Sequence, residues 1–205
     1  MTLDGCIVTA DALHCHPAMA EAVQAAGADY ALGLKKNHAP LYEAAVAAWA
    51  QADAKGFVPF HEETESGHDR EEYRCASVIA CPPDAPAFPG LVAIGRIEGE
   101  RRSGTQVKTS TCYIALSTFL TPKRLFEVVR THWSIENHLH WQLDVSFRED
   151  DVRIRKDHGP ENIAFMRRMA LDMLRAHPDK RSIVRKMKLA SWNKAFFYGL
   201  FAYMQ

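Results

Sequence analysis

The chain has no stretch near the roughly 20 consecutive apolar residues that cross a bilayer. Its opening, MTLDGCIVTA, lacks both the basic start and the long apolar centre of a secretory signal. These absences point to a cytoplasmic protein with no membrane partner. Cys-x-x-Cys spacing is missing as well. Cys6, Cys15, Cys75, Cys81 and Cys112 are odd in number and scattered, which argues against a disulfide framework or a zinc ribbon and for reduced, mostly buried thiols. No internal repeat or low-complexity tract is visible. Net charge is also absent, since 25 Lys and Arg balance 25 Asp and Glu. The balance is uneven, however: residues 1–119 sum to −6 and residues 120–205 to +6, so a polyanion meets the C-terminal half first.

What remains is a chain of 205 residues, 47% of them hydrophobic, enough for a globular domain with its own core. The apolar run Cys6 to Ala10, an Ala-rich segment opened by Pro17 and closed by Gly27, and a second run Tyr30 to Leu34 read as a βαβ unit. Two short buried strands joined by a helix imply a parallel, right-handed crossover and an α/β class. A further helix is predicted from Ala39 to Ala52. The period then becomes two, and Tyr73 to Ala80, Leu91 to Ile97 and Val107 to Leu116 read as strands of an antiparallel insertion, separated by CPPDAPAFPG and EGERRSG. Helical period returns at Thr121, a candidate N-cap ahead of Pro122. Another amphipathic helix opens near Pro160, with Ile163, Met166, Ala170, Met173 and Leu174 on one face. The organisation expected is a βαβ part over 1–56, a β-rich part over 57–118 and a helical part over 119–205.

Two carboxylates stand out. At about 100° per residue, Leu125, Val128, Val129, Trp133, Ile135, Leu139 and Leu143 form one broad apolar arc. Glu136 falls near its centre, flanked by His132 and His140 on the same face. An acid facing a core is costly unless paired, protonated or bound to a metal. Glu136 therefore either pairs with a neighbouring His or Arg, or reaches water at an edge, or is a metal or catalytic ligand. Asp11 sits just past the first strand, at the carboxyl end where open α/β sheets gather ligands, and the same position suits a helix cap. Together they describe an oxygen-ligand site for a divalent metal. The alternative on the same helix is a zinc-dependent hydrolase unrelated to DNA, with His132, Glu136 and His140 at i, i+4 and i+8.

The stretches VTADALHCH (8–16), ADYALGLKKNH (28–38) and above all HWSIENHLHWQLDVSFREDDVRIR (132–155) resemble the DDE transposases of bacterial insertion sequences, in the subgroup of H-repeat-associated proteins. HDREEYR (68–74) and ENIAFMRRMAL (161–171) extend the resemblance over nearly the whole chain. It implies a ribonuclease H-like fold with two divalent ions, Mg²⁺ or Mn²⁺, held by three carboxylates for attack on a phosphodiester. By motif, Asp11 corresponds to the second carboxylate and Glu136 to the third. The strands that carry the first have no counterpart, so the core is expected to be incomplete at its N-terminus. The isolated chain is then expected to be inactive, with the strand Cys6 to Ala10 left at an edge. The wider family signature around the Glu has Tyr, Arg and Lys where Val129, His132 and Leu143 stand. His132, Asn137 and His140 are carried as supporting residues.

The implied substrate is DNA, transposon ends and target, and the implied protein partner is a second copy or an intact transposase. A non-catalytic DNA-binding remnant is the alternative. Lys35 and Lys36 follow a strand end on the side of the sheet where Asp11 lies, suited to a phosphate near metal. Arg181, Arg185, Lys186 and Lys188 belong to a basic run whose natural use is phosphate contact, although a solvated helix face explains such a run as well. Arg70 alternates with acids and fits either a DNA contact or an exposed strand.

Overall fold

A computed structural model describes residues 2–67, 70–135 and 139–203. By internal contacts it divides into two units, 1–132 and 133–205. The division falls within a helix, Pro122–Ile135.

The first unit is a mixed α/β layer structure around one six-stranded sheet. The strands are β1 (Ile7–Ala10), β2 (Asp29–Leu34), β3 (Phe60–Gly67), β4 (Arg70–Ala80), β5 (Ala93–Ser103) and β6 (Gln106–Leu116), in the spatial order β1-β2-β6-β5-β4-β3. β1 and β2 are parallel, with Thr9 opposite Ala31 and Ala10 opposite Leu32. They are joined by helix α1 (Pro17–Ala25), as Pro17 and Gly27 predict. β1 forms one edge and is half-buried along its length.

The β-rich segment does not stand apart from this βαβ unit. β6 pairs antiparallel with β2, from Ala31↔Leu116 to Leu34↔Tyr113, so one sheet runs through both. The segment EGERRSG is mostly strand: β5 continues to Ser103, and the hairpin to β6 needs only Gly104 and Thr105, with Gly104 at φ +57.

Strand alternation separates the two faces of the sheet. On one lie Tyr30, Leu32, Leu34, Ile94 and Ala115, which pack with Ala20 and Val23 of α1 and with Leu41, Ala45 and Trp49 of helix α2 (Ala39–Lys55). Here Arg96 stacks 4.2 Å from the Trp49 ring and binds Asp53 at 2.7 and 3.1 Å. The opposite face meets helix α3 (Pro122–Ile135), whose Leu125, Phe126, Val128 and Val129 are buried. Gly95 is small because Leu125 lies on it: a Cβ there would come within 2.6 Å of the Leu125 Cδ2 atom. Thr121 caps α3 as predicted, its hydroxyl accepting from the Arg124 amide at 3.2 Å. The polar end of β2 is closed by Ser117, which accepts from the Tyr30 amide and donates to Asp29, both at 2.8 Å.

The second unit contains helices α4 (Gly159–Ala176), α5 (Ile183–Trp192) and α6 (Lys194–Leu200) and a π-helical turn at Gln142–Ser146. Its core is Met173, Leu174 and Leu200, with Met169, Ile183, Met187 and Phe196 packed against them. Two side chains depart from the faces read in the sequence. Met166 is 60% exposed while Leu171 is fully buried, and Ile135 is 47% exposed. Wider π winding near Leu143 also breaks the regular step on which the apolar arc was drawn. Among the described residues, no helix is long and apolar enough to cross a membrane.

Candidate metal and DNA site

Asp11 lies at the carboxyl end of β1 in extended conformation, φ −63 and ψ 162, ahead of the short 3₁₀ turn Ala12–His14. Its carboxylate makes no capping bond to that turn, which removes the reason for reading it as a cap. The side chain is 64% exposed. The loop that carries it presses directly onto β2. A Cβ at Gly33 would lie 3.2 Å from the Ala12 backbone nitrogen, and the Asn37 side-chain amide donates to the Ala12 carbonyl. Parallel pairing brings the carboxyl end of β2 to the same edge as Asp11, and the exposed Lys35 and Lys36 follow it at once.

His132, on the last turns of α3, reaches this edge. Its Nδ1 is 3.0 Å from the Thr9 hydroxyl and its Nε2 is 3.4 Å from the Asp11 carboxylate. Thr9 was not singled out in the sequence, yet a signal was there. It is the one polar residue of IVTA, and a strand's period of two puts it on the face of Asp11. Both ring nitrogens of His132 are thus directed at Thr9 and Asp11, and His140 is exposed. The zinc alternative on the helical stripe includes Glu136 and so lies outside the described residues.

Glu136 and Asn137 lie outside the described residues, as do His68 and Asp69, so the expected meeting of Asp11 with Glu136 lies outside them too. Among the described residues no group of three or more His, Cys, Asp or Glu side chains gathers as a metal site. A hard divalent cation nevertheless suits what Asp11 offers. Its carboxylate is unused by the following turn and accessible, and carboxylate oxygen donors favour Mg²⁺ or Mn²⁺ over softer metals.

Comparison with known proteins then decides the family. The family described as "Transposase DDE domain" matches residues 1–173. The chain belongs to that family. It is 30% identical to "Putative protein YbfL" of Escherichia coli K12 and 29% identical to the "H repeat-associated putative transposase YhhI" of the same strain, in each case over 98% of this chain and 56% of the relative. It is 31% identical to "Putative transposase YncI" of Escherichia coli O157:H7, over 96% of this chain and 53% of the relative. The chain therefore spans about half the length of the curated relatives it matches. No solved structure matches it.

The basic residues of this DDE transposase chain divide once they are placed. Lys186, read from the sequence as facing DNA, is instead 4% exposed. Its Nζ donates to the carbonyls of Leu174 and His177, at 2.7 and 2.9 Å, where α4 ends. The last carbonyls of a helix lack partners of their own, and Lys186 supplies one from the neighbouring helix. Arg181 is held by Asp179, with Nε 2.9 Å from each carboxylate oxygen, and sits over the Phe196 ring. That guanidinium keeps the Asp179 carboxyl far below the usual carboxylate range. Arg185 and Lys188 are exposed. Arg70 opens β4, paired with Gly67 and Ser103. Of the thiols, Cys15 and Cys75 are buried as expected, and burial pushes Cys15 up to about 11, while Cys6 is exposed.

Proposed function

We propose that this chain serves DNA transposition: it contributes Asp11 and Glu136 to a divalent-metal site for phosphoryl transfer and binds DNA through exposed basic residues. The observation that carries the reading is Asp11 itself. In a chain of the DDE family, the acid at the motif position stands free of its own turn at the carboxyl end of β1, where it meets His132 from α3. Asp11 and Glu136 would hold Mg²⁺ or Mn²⁺. Such an ion, when bound, supplies Lewis-acid activation of the attacking hydroxyl and charge neutralisation at the phosphodiester. His132 orients the Asp11 carboxylate and is fixed in turn by Thr9. Lys35 and Lys36 attract phosphate to the same edge. Lys186 drops out of the proposed DNA contacts, and Arg185 and Lys188 remain.

By motif, no acid of these 205 residues is matched to the family's first carboxylate, so the role proposed for the chain alone is binding of metal and DNA. Cleavage is proposed for a polypeptide that also supplies that acid, and a purified 205-residue chain is expected to leave transposon-end DNA intact in Mg²⁺. The direct test is Mn²⁺ binding followed by electron paramagnetic resonance. Asp11→Asn and Glu136→Gln should each weaken binding by about ten-fold or more. His132→Ala should weaken it by roughly ten-fold through loss of orientation. Unchanged Mn²⁺ affinity in both acid variants would remove the reason for pairing them.

The DNA contribution has its own readout. Charge reversal at Arg185 and Lys188 is expected to weaken duplex binding and to lower the slope of log affinity against log salt by about one unit per lost phosphate contact. An unaltered slope would leave those residues as a solvated face.

A further inference from the structure

Helix α5 presents two sides of different chemistry. Ile183, Met187 and Ala190 pack into the core of the second unit, and Lys186 points the same way. The outward side carries Arg185, Lys188 and Trp192, all exposed, with Trp192 at 70%. At 3.6 residues per turn these three fall within about 60° of one another, along about 10 Å of helix. A single exposed aromatic on a protein surface needs no explanation. Trp192 differs because two cations share its stripe and Lys194 follows it. No acid lies between Asp179 and the end of the chain, a stretch that holds Lys180, Arg181, Arg185, Lys186, Lys188 and Lys194. Cations interleaved with an exposed aromatic suit a strand whose phosphates meet the charges while a base lies on the ring.

We propose that the α5 stripe of Arg185, Lys188 and Trp192 binds DNA where a base is unpaired, the cations taking phosphates and Trp192 stacking on the base. The inference rests on the reading of the chain as DNA-binding and adds a specificity to it. Duplex DNA keeps its bases stacked on one another and offers the ring only a terminal pair. A frayed or tailed end offers a free face. The stripe therefore distinguishes the end of a DNA segment from its interior without reading sequence. Trp141 is also exposed, at 52%, but lies on another element.

The test is fluorescence anisotropy with the full chain on two labelled DNAs of equal duplex length, one blunt and one with a short single-stranded tail. The tailed DNA should bind about ten-fold tighter than the blunt one, the effect of one stacked base. Trp192→Ala should abolish that preference and leave the salt slope unchanged, while Trp192→Phe keeps part of it. Charge reversal at Arg185 and Lys188 should weaken both DNAs together. Equal binding of the two DNAs by the unaltered chain, or a preference that survives Trp192→Ala, would overturn the proposal while leaving DNA binding intact. Absence of binding to either DNA would overturn it together with the DNA-binding reading. A Trp192→Ala variant that changes only the sedimentation of the chain would show that a second copy covers this face, and would overturn it too.

Discussion

Replacing Trp49 by alanine should destabilise the first unit by about 3–5 kcal/mol, the largest effect expected of any single truncation in the chain. Trp49 is 1% exposed at the centre of the layer between α2 and the sheet, among Leu41, Ala45, Tyr30 and Ile94. Its removal leaves a cavity the size of an indole, and the surrounding strands are tied together by backbone pairing and relax only partly. It also strips the ring from under Arg96, whose guanidinium is held over it by Asp53 one turn along α2. Trp49→Phe separates volume from polarity. The indole nitrogen of Trp49 is buried without a hydrogen-bond partner among the described residues, so its loss breaks none of the bonds described, and the cost should be no more than about 1–2 kcal/mol. Urea unfolding followed by circular dichroism measures both. A Trp49→Ala chain within about 1 kcal/mol of the parent would mean that the layer is not packed as described.

The second large effect is expected at Lys186, and it falls on stability rather than on DNA. Lys186→Met keeps most of the buried stem but removes both hydrogen bonds to the end of α4. Stranding the Leu174 and His177 carbonyls should cost about 2–3 kcal/mol. Lys188→Met, two residues away and exposed, should stay within about 0.5 kcal/mol. The pair reverses on DNA: charge removal at Lys188 should lower the salt slope, and Lys186→Met should leave it unchanged wherever the unit remains folded. Thermal unfolding and salt titration on the same two variants decide it. Equal stability of the two would return Lys186 to the surface.

Some of the site was legible because it depends on local rules. Pro17, Gly27 and the two apolar runs fixed the parallel pair β1 and β2, and with it the place of Asp11, since helix punctuation and burial act within a few residues. Strand β3 was not legible. Its sequence, FHEETESG, shows no apolar alternation because it is an exposed edge, held by backbone pairing to β4 and lined with acids that discourage pairing with another chain. Thr9 carried a period-two signal, but only the fold supplies its partner, His132, 123 residues away.

Sequence by itself determined the family, because the dense motif at 132–155 and the stretch around Asp11 are written in contiguous residues. Tertiary structure alone decided which basic side chains are available. Arg185, Lys186 and Lys188 look alike in a charge run, but a helix turns about 100° per residue. That rotation sends Lys186 into the carbonyls at the end of α4 and leaves its neighbours, with Trp192, in water. It also decided that β2 and β6 share one sheet. Pairing between strands some 80 residues apart is selected by packing on both faces, and a local pattern does not record it.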